Sequence, residues 1–177
     1  MAYPLGTFLP LLVIVGGLGY CFWRKKRNEL FKFYTLLIVG MVSVFTQATY
    51  KAFTGRVSPT CNQYSDAFEV SYSCLQDTAF ALNSFNFGWL ESGVFFGWPS
   101  GHSITAVAVG LLFSLVFWGN TKLRYLGFIF VIYVPVGVSF RGHWLSDILA
   151  GALVGATIAL AAYTYYSNRL NQSKQTT

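Results

Sequence analysis

Residues 99–118 read PSGHSITAVAVGLLFSLVFW, and this stretch decides the fold class because a polar tetrapeptide leads directly into a long apolar run. A helix needs about 20 apolar residues to cross the hydrocarbon core of a bilayer. Since lipid offers no partner to backbone polar groups, such runs are expected to be helical. The chain has five runs of this kind, at Leu5–Trp23, Leu30–Tyr50, Ser103–Trp118, Tyr125–Phe140 and Ile148–Tyr166.

We therefore predict an all-α fold, a polytopic membrane helical bundle of about five transmembrane helices in a single domain over residues 1–177. The third and fourth runs are short, so their polar flanks are expected to continue the helices. The composition agrees, because 54% of the residues are hydrophobic and 10% are charged, against roughly 25% charged in an average soluble chain. With a mean hydropathy of +0.50, the chain is not expected to be a soluble globular domain.

The cations predict the orientation of the bundle. Nine of the twelve Lys and Arg residues fall on one side of a five-helix topology: Arg24, Lys25, Lys26, Arg27, Lys32, Lys122, Arg124, Arg169 and Lys174. By the positive-inside rule this side is cytoplasmic. The net charge of +6 is thus attributed to topology, with contact to anionic lipid as the alternative, and no nucleic-acid partner is expected. The first run lacks a basic leader and precedes the basic cluster, so we expect a retained helix rather than a signal peptide.

The long connection Lys51–Trp98 is expected to lie outside and to be functional, since structureless loops beyond about 15 residues are otherwise uncommon. Its second half is rich in aromatic residues. We expect a short interfacial helix at Asp77–Phe87, or equally packing of these rings against the bundle; re-entry of part of 77–98 would raise the helix count to six. Cys61 and Cys74 share this loop and are predicted to form a disulfide in an oxidising compartment, with two free thiols as the alternative.

The only two histidines of the chain, His102 and His143, fall on the outer side where apolar runs meet polar residues. Asp147 follows His143 by four residues, so the carboxylate can reach the imidazole on one helix face and raise the basicity of its other nitrogen. The amides that open the third run would bind an anion, and Lys51 adds positive charge. This set suits phosphoryl transfer. No carboxylate cluster for magnesium accompanies it, so we expect no cofactor and no metal.

These residues resemble the motifs of the type 2 phosphatidic acid phosphatase superfamily, whose members include bacterial lipid phosphatases. Its middle motif, Pro-Ser-Gly-His, is intact at residues 99–102. The last motif keeps His143 and Asp147, the first keeps Lys51 and Pro59, and the similarity extends over residues 51–151. The resemblance implies that His143 attacks phosphorus, that His102 protonates the leaving group and that Asp147 supports His143. It also implies phosphate binding by Lys51, Ser100 and Gly101.

Two motif positions depart from the family pattern. The arginine of the first motif falls on Ser58, and the Ser-Arg pair of the last motif falls on residues 136–137, which are Val and Gly. Arg56 lies two residues before the first position, and Arg141 lies four residues after the second. These separations keep a side chain on the same face of a strand or of a helix. We hypothesise that Arg56 and Arg141 complete the phosphate site from these shifted positions.

The sequence thus predicts an integral membrane phosphatase that hydrolyses a phosphomonoester or diphosphate on a lipid at the outer leaflet, through a phosphohistidine. A lipid phosphotransferase and a non-catalytic lipid-phosphate-binding protein are the alternatives. The expected partners are the lipid phosphate substrate and membrane lipid, and the expected location is the inner membrane of a bacterium with the site facing the periplasm. The sequence indicates neither the substrate lipid nor the oligomeric state.

Overall fold

The structure is a computed structural model that describes residues 2–25, 27–55, 86–87, 98–139 and 143–175. These residues form five helices: α1 (Ala2–Trp23), α2 (Arg27–Phe53), α3 (Gly101–Val116), α4 (Thr121–Ser139) and α5 (Leu145–Gln175). Two short strands, β1 (Thr54–Gly55) and β2 (Asn86–Phe87), are the only other regular elements in this part of the chain. The predicted all-α membrane helical bundle is confirmed.

Among the residues whose side chains the structure describes, three helices contain segments long and apolar enough to cross a membrane, namely Glu29–Phe53, Thr121–Ser139 and Leu145–Gln172. The fourth predicted run is extended at its start, because α4 begins at Thr121. The third predicted run reaches Trp118, but α3 ends at Val116. A turn follows, and the Asn120 side chain accepts a hydrogen bond from the Leu123 amide at 3.2 Å. Two further segments, Gly101–Val116 of α3 and Leu11–Trp23 of α1, are also apolar but contain fewer residues. These segments indicate an integral membrane protein.

Helix α3 is the centre of the bundle. It contacts all four other helices, and side chains around its whole circumference are buried, with Ile104, Ala106, Ala108 and Leu112 fully inaccessible. A helix that is apolar on every side is expected to be enclosed in this way. The start of α3, which carries the polar tetrapeptide, is therefore held by the surrounding helices.

The outer surface of the bundle is apolar. Large side chains on the peripheral helices are strongly exposed, among them Phe22 (78%), Phe45 (74%) and Leu153 (71%). On a water-soluble protein such a continuous apolar surface would be unfavourable. Contact with lipid hydrocarbon removes that penalty, so these residues mark the lipid-facing surface.

Helices α3 and α5 approach closely because two glycines of α5 face the backbone of α3. A Cβ atom at Gly151 would lie 2.6 Å from the carbonyl oxygen of Ser100, and one at Gly155 would lie 2.5 Å from that of Ile104. Small residues four apart commonly permit this approach between membrane helices. The contact fixes the start of α5 against the start of α3.

The prediction of an interfacial helix at Asp77–Phe87 is wrong for its last two residues. Asn86 and Phe87 pair antiparallel with Gly55 and Thr54, because the chain leaving α2 offers them backbone hydrogen-bonding groups. Residues 77–85 lie outside the described residues. The same holds for Cys61 and Cys74, so their disulfide stays a prediction.

We expect Gly155→Ala to lower the free energy of unfolding by about 1–3 kcal/mol, the usual cost of an added group in a packed core. The new methyl group would meet the backbone of α3, which cannot move aside as a flexible side chain could. Thermal unfolding in detergent measures the effect. Gly19→Ala in α1 is the matched control, because no atom lies near its Cβ position; equal melting temperatures of the two variants would contradict the predicted close contact.

Candidate active site

Helix α3 begins with a capped first turn. Ser100 is the N-cap residue, and its side-chain oxygen accepts hydrogen bonds from the amide of Ser103 at 3.4 Å and from its hydroxyl at 3.0 Å. The amide of Gly101 belongs to the first turn, where a helix provides no acceptor. The beginning of α3 therefore carries the Gly101 amide and the positive end of the helix dipole, on which the predicted anion site depends.

Helix α5 begins with a second cap, which the sequence reasoning missed. One carboxylate oxygen of Asp147, Oδ2, accepts a hydrogen bond from the backbone amide of Trp144 at 3.0 Å. Asp147 occupies the third position of the helix, and an acidic side chain there commonly reaches back to the residue that precedes the helix. The carboxylate is fully buried and lies at the positive end of the α5 dipole, which favours its negative charge.

His143 lies directly before this cap and is buried. Its Nδ1 atom is 3.6 Å from Oδ2 of Asp147 and has no hydrogen-bond partner in the described residues. The expected juxtaposition of imidazole and carboxylate is thus present, although the distance exceeds that of a hydrogen bond. The same oxygen also accepts the hydrogen bond from the Trp144 amide. A carboxylate beside Nδ1 leaves Nε2 as the nitrogen available for chemistry.

A backbone hydrogen bond joins the two helix beginnings. The amide of Ser100 donates to the carbonyl oxygen of Asp147 at 3.0 Å, which places the first turns of α3 and α5 side by side. His102, in the first turn of α3, interacts electrostatically with His143 and with Lys51 near the end of α2. The structure therefore brings together Lys51 of α2, His102 of α3, Asp147 of α5 and His143 from the segment just before α5.

The end of α2 is attached to the segment that precedes α3. The Thr54 hydroxyl lies 2.8 Å from the carbonyl oxygen of Tyr50 and 3.0 Å from that of Trp98. The Tyr50 and Trp98 rings also meet edge to face, with centroids 6.0 Å apart. Because Lys51 lies between Tyr50 and Thr54 in the chain, these contacts hold it close to the start of α3. Sequence reasoning did not identify Thr54, since threonines near helix ends are common.

The structure does not describe every residue that the sequence analysis placed in the site. Arg56 and Arg141 lie outside the described residues, so their contribution stays a hypothesis. Ser100 is fully buried, and its amide and side-chain oxygen are engaged as described above; phosphate binding by Ser100 stays a prediction. In the part of the chain that the structure describes, no three His, Cys, Asp or Glu side chains are grouped as metal ligands would be.

We expect Thr54→Val to lower the free energy of unfolding by about 0.5–1.5 kcal/mol, because the part-buried hydrogen bond from the Thr54 hydroxyl to the carbonyl oxygen of Trp98 would be lost. Valine keeps the shape of threonine, so the volume of the buried side chain is preserved. The control is Thr49→Val, because that hydroxyl is exposed and donates only within its own helix, to Phe45. The melting temperatures of both variants are measured by thermal unfolding. An unchanged melting temperature for Thr54→Val would show that the hydrogen bond to Trp98 does not stabilise the fold.

Comparison with known proteins agrees with this arrangement. The family model described as the PAP2 superfamily matches residues 30–171, which include α2 from its second turn, the whole of the site and nearly all of α5. No curated protein and no solved structure gives a significant match to the chain. Membership of this superfamily indicates phosphatase activity of the membrane lipid phosphatase kind. The chain belongs to the PAP2 superfamily, the type 2 phosphatidic acid phosphatases.

Proposed function

We propose that the protein is an integral membrane phosphatase that removes phosphate from a lipid phosphomonoester or diphosphate at the outer leaflet, without a metal ion. One observation carries the proposal. His143, with a carboxylate beside its Nδ1 atom, lies next to the first turn of a helix that carries a second histidine and the Gly101 amide. A nucleophile, an acid and an anion site are thus available in one place.

In the first step, Nε2 of His143 attacks the phosphorus atom of the substrate. The bond between phosphorus and the lipid oxygen breaks, and His102 gives its proton to that departing oxygen. The carboxylate of Asp147 favours the positive charge that forms on the His143 ring. The Gly101 amide and Lys51 would stabilise the charge on the phosphoryl oxygens. Arg56 and Arg141 are included in this proposal as further phosphate contacts.

In the second step, a water molecule attacks the phosphohistidine. His102, now neutral, accepts the proton that the water loses, and the bond between Nε2 and phosphorus breaks to release inorganic phosphate. His102 returns to its protonated form and His143 to its neutral form, so the cycle closes. Transfer to another lipid or sugar hydroxyl would use the same steps, with that hydroxyl in place of water.

A lipid substrate is supported by the apolar surface beside the site. Leu145 and Leu149, which flank the buried Asp147 on α5, are 69% and 56% exposed. Phe53, two residues beyond Lys51, is 48% exposed. Acyl or prenyl chains could lie on these residues while the phosphate reaches the histidines. A water-soluble substrate would not need an apolar surface at this level.

The outer-leaflet location is supported by the cations, and the proposed membrane is the inner membrane of a bacterium. The basic residues at the other end of the bundle include Arg24, Lys25 and Arg169, which follow α1 or lie in the last third of α5. The positive-inside rule assigns that end to the cytoplasm. The site, at the opposite helix ends, would then face the periplasm.

We expect His143→Ala to abolish phosphate release from a panel of lipid phosphates by the protein in detergent, with chelator present throughout. Loss of the nucleophile leaves no atom to accept the phosphoryl group. Thr157→Ala, an exposed position on α5, should keep wild-type activity. Arg56→Ala and Arg141→Ala belong in the same panel, since full activity of both would exclude them from the site. Activity that survives His143→Ala, or that chelator removes from the wild type, would contradict the proposal.

We expect Asp147→Asn to lower kcat by roughly 10- to 100-fold, the range found when the partner that orients a functional histidine is lost. Asparagine can still accept the hydrogen bond from Trp144, so the cap is kept while the negative charge beside Nδ1 is removed. Steady-state kinetics and thermal unfolding should be measured together. An unchanged kcat would contradict the proposed action of the Asp147 carboxylate on His143.

A further inference from the structure

Gln47 lies in α2 one helical turn before Lys51, so the two side chains share a face of the helix. Its amide occupies the space beside the first residue of α3. A Cβ atom built on Gly101 would overlap the side-chain oxygen of Gln47 and would lie 2.7 Å from its Cδ atom. Gly101 therefore lacks a side chain where the Gln47 amide needs room. A polar group of α2 thus reaches the same helix end that carries His102.

The face of α2 that contacts α3 becomes more polar toward the site. In steps of four residues it carries Val39, Ser43, Gln47 and Lys51. Val39 and Ser43 are buried, and the Ser43 hydroxyl donates to the carbonyl oxygen of Val39 at 2.6 Å. The hydroxyl of Ser43 is thereby satisfied within its own helix. Gln47 is half-buried, one turn closer to the site.

The neutral side-chain amide of Gln47 is suited to donate hydrogen bonds to a phosphate. A glutamine side chain offers two N–H donors without adding charge. With the oxygen of Gln47 against Gly101, its amino group remains able to donate. No described residue is close enough to accept from it in a hydrogen bond, whereas a phosphate bound between Lys51 and the first turn of α3 would supply such an acceptor.

We propose that Gln47 is a phosphate-binding residue of this site, whose amide donates to a phosphoryl oxygen beside the Gly101 amide and Lys51. The inference rests on the proposed function, which it deepens by adding a residue that lies outside the sequence motifs. A donor to a charged phosphoryl oxygen would stabilise the bound substrate and the transition state.

The experiment compares Gln47→Glu, Gln47→Ala and Thr49→Ala in the full-length protein. Orthovanadate is the probe, because it mimics phosphate and the five-coordinate phosphorus of the transition state, and such mimics bind tightly. Its dissociation constant is obtained from the rise in melting temperature with vanadate concentration, a readout that needs no turnover. KM and kcat for the lipid phosphate that the wild type hydrolyses fastest are measured in parallel.

We expect Gln47→Ala to weaken vanadate binding by about tenfold or more, as for the loss of a hydrogen bond to a charged group. Gln47→Glu keeps the shape of glutamine but adds a negative charge beside the anion, so its loss should be larger. Thr49→Ala, on the same helix with its hydroxyl bonded to Phe45, should bind vanadate as the wild type does. All variants should unfold near the wild-type temperature without vanadate.

The outcomes separate this inference from the proposed function. If the wild type hydrolyses lipid phosphates while both Gln47 variants bind vanadate normally, the role of Gln47 is refuted and the phosphatase proposal stands. Normal binding by Gln47→Glu with weakened binding by Gln47→Ala would indicate packing alone and also refutes it. If the wild type binds vanadate but hydrolyses nothing, and Gln47→Glu abolishes binding, the inference holds and the enzymatic proposal fails. A wild type that does not bind vanadate overturns the inference.

Discussion

The hydrogen bond from the Ser100 amide to the Asp147 carbonyl oxygen is the contact on which the site depends. It joins the first turns of α3 and α5, and it can form only because Gly151 lets the two backbones approach. This hydrogen bond holds Ser100, which caps α3, beside Asp147, which caps α5. His102 and His143, each next to one of these caps, come together as a consequence.

The positive ends of the α3 and α5 dipoles have different neighbours. At α5 the carboxylate of Asp147 is buried at the helix end and accepts from the Trp144 amide, so the dipole of α5 is compensated within the protein. At α3 the N-cap is a neutral serine and the second residue is a histidine. The positive end of α3 therefore remains for an external anion. This difference supports the proposal that phosphate binds at α3 and that Asp147 acts on His143.

The lengths of the helices place the site near the edge of the hydrocarbon. Helix α3 has 16 residues, or about 24 Å at the rise of an α-helix, against about 30 Å for a hydrocarbon core. Helices α2 and α5, with 27 and 31 residues, are long enough to cross it. Because the short helix α3 is enclosed by longer helices, its polar first turn is surrounded by protein. Ionisable groups at that depth are costly unless they pair with opposite charges or face a cavity, and the buried carboxylate of Asp147 beside His143 is such a partner.

The sequence by itself determined the all-α class and the approximate bounds of four of the five helices at both ends, because apolar run length is a local property. The residues of the site stay a prediction, made from the motifs and from four-residue spacing. The sequence also indicated the superfamily, since the central motif is contiguous. Only the tertiary structure decided that Asp147 caps α5 and so lies 3.6 Å from His143. It alone placed Thr54 against Trp98, 44 residues away in the chain, Gln47 against Gly101, and Asn86–Phe87 in a strand rather than a helix. The cap by Asp147 is local, but the contacts of Thr54, Gln47 and Asn86–Phe87 join segments that are distant in sequence, and such contacts are settled only when the helices pack together.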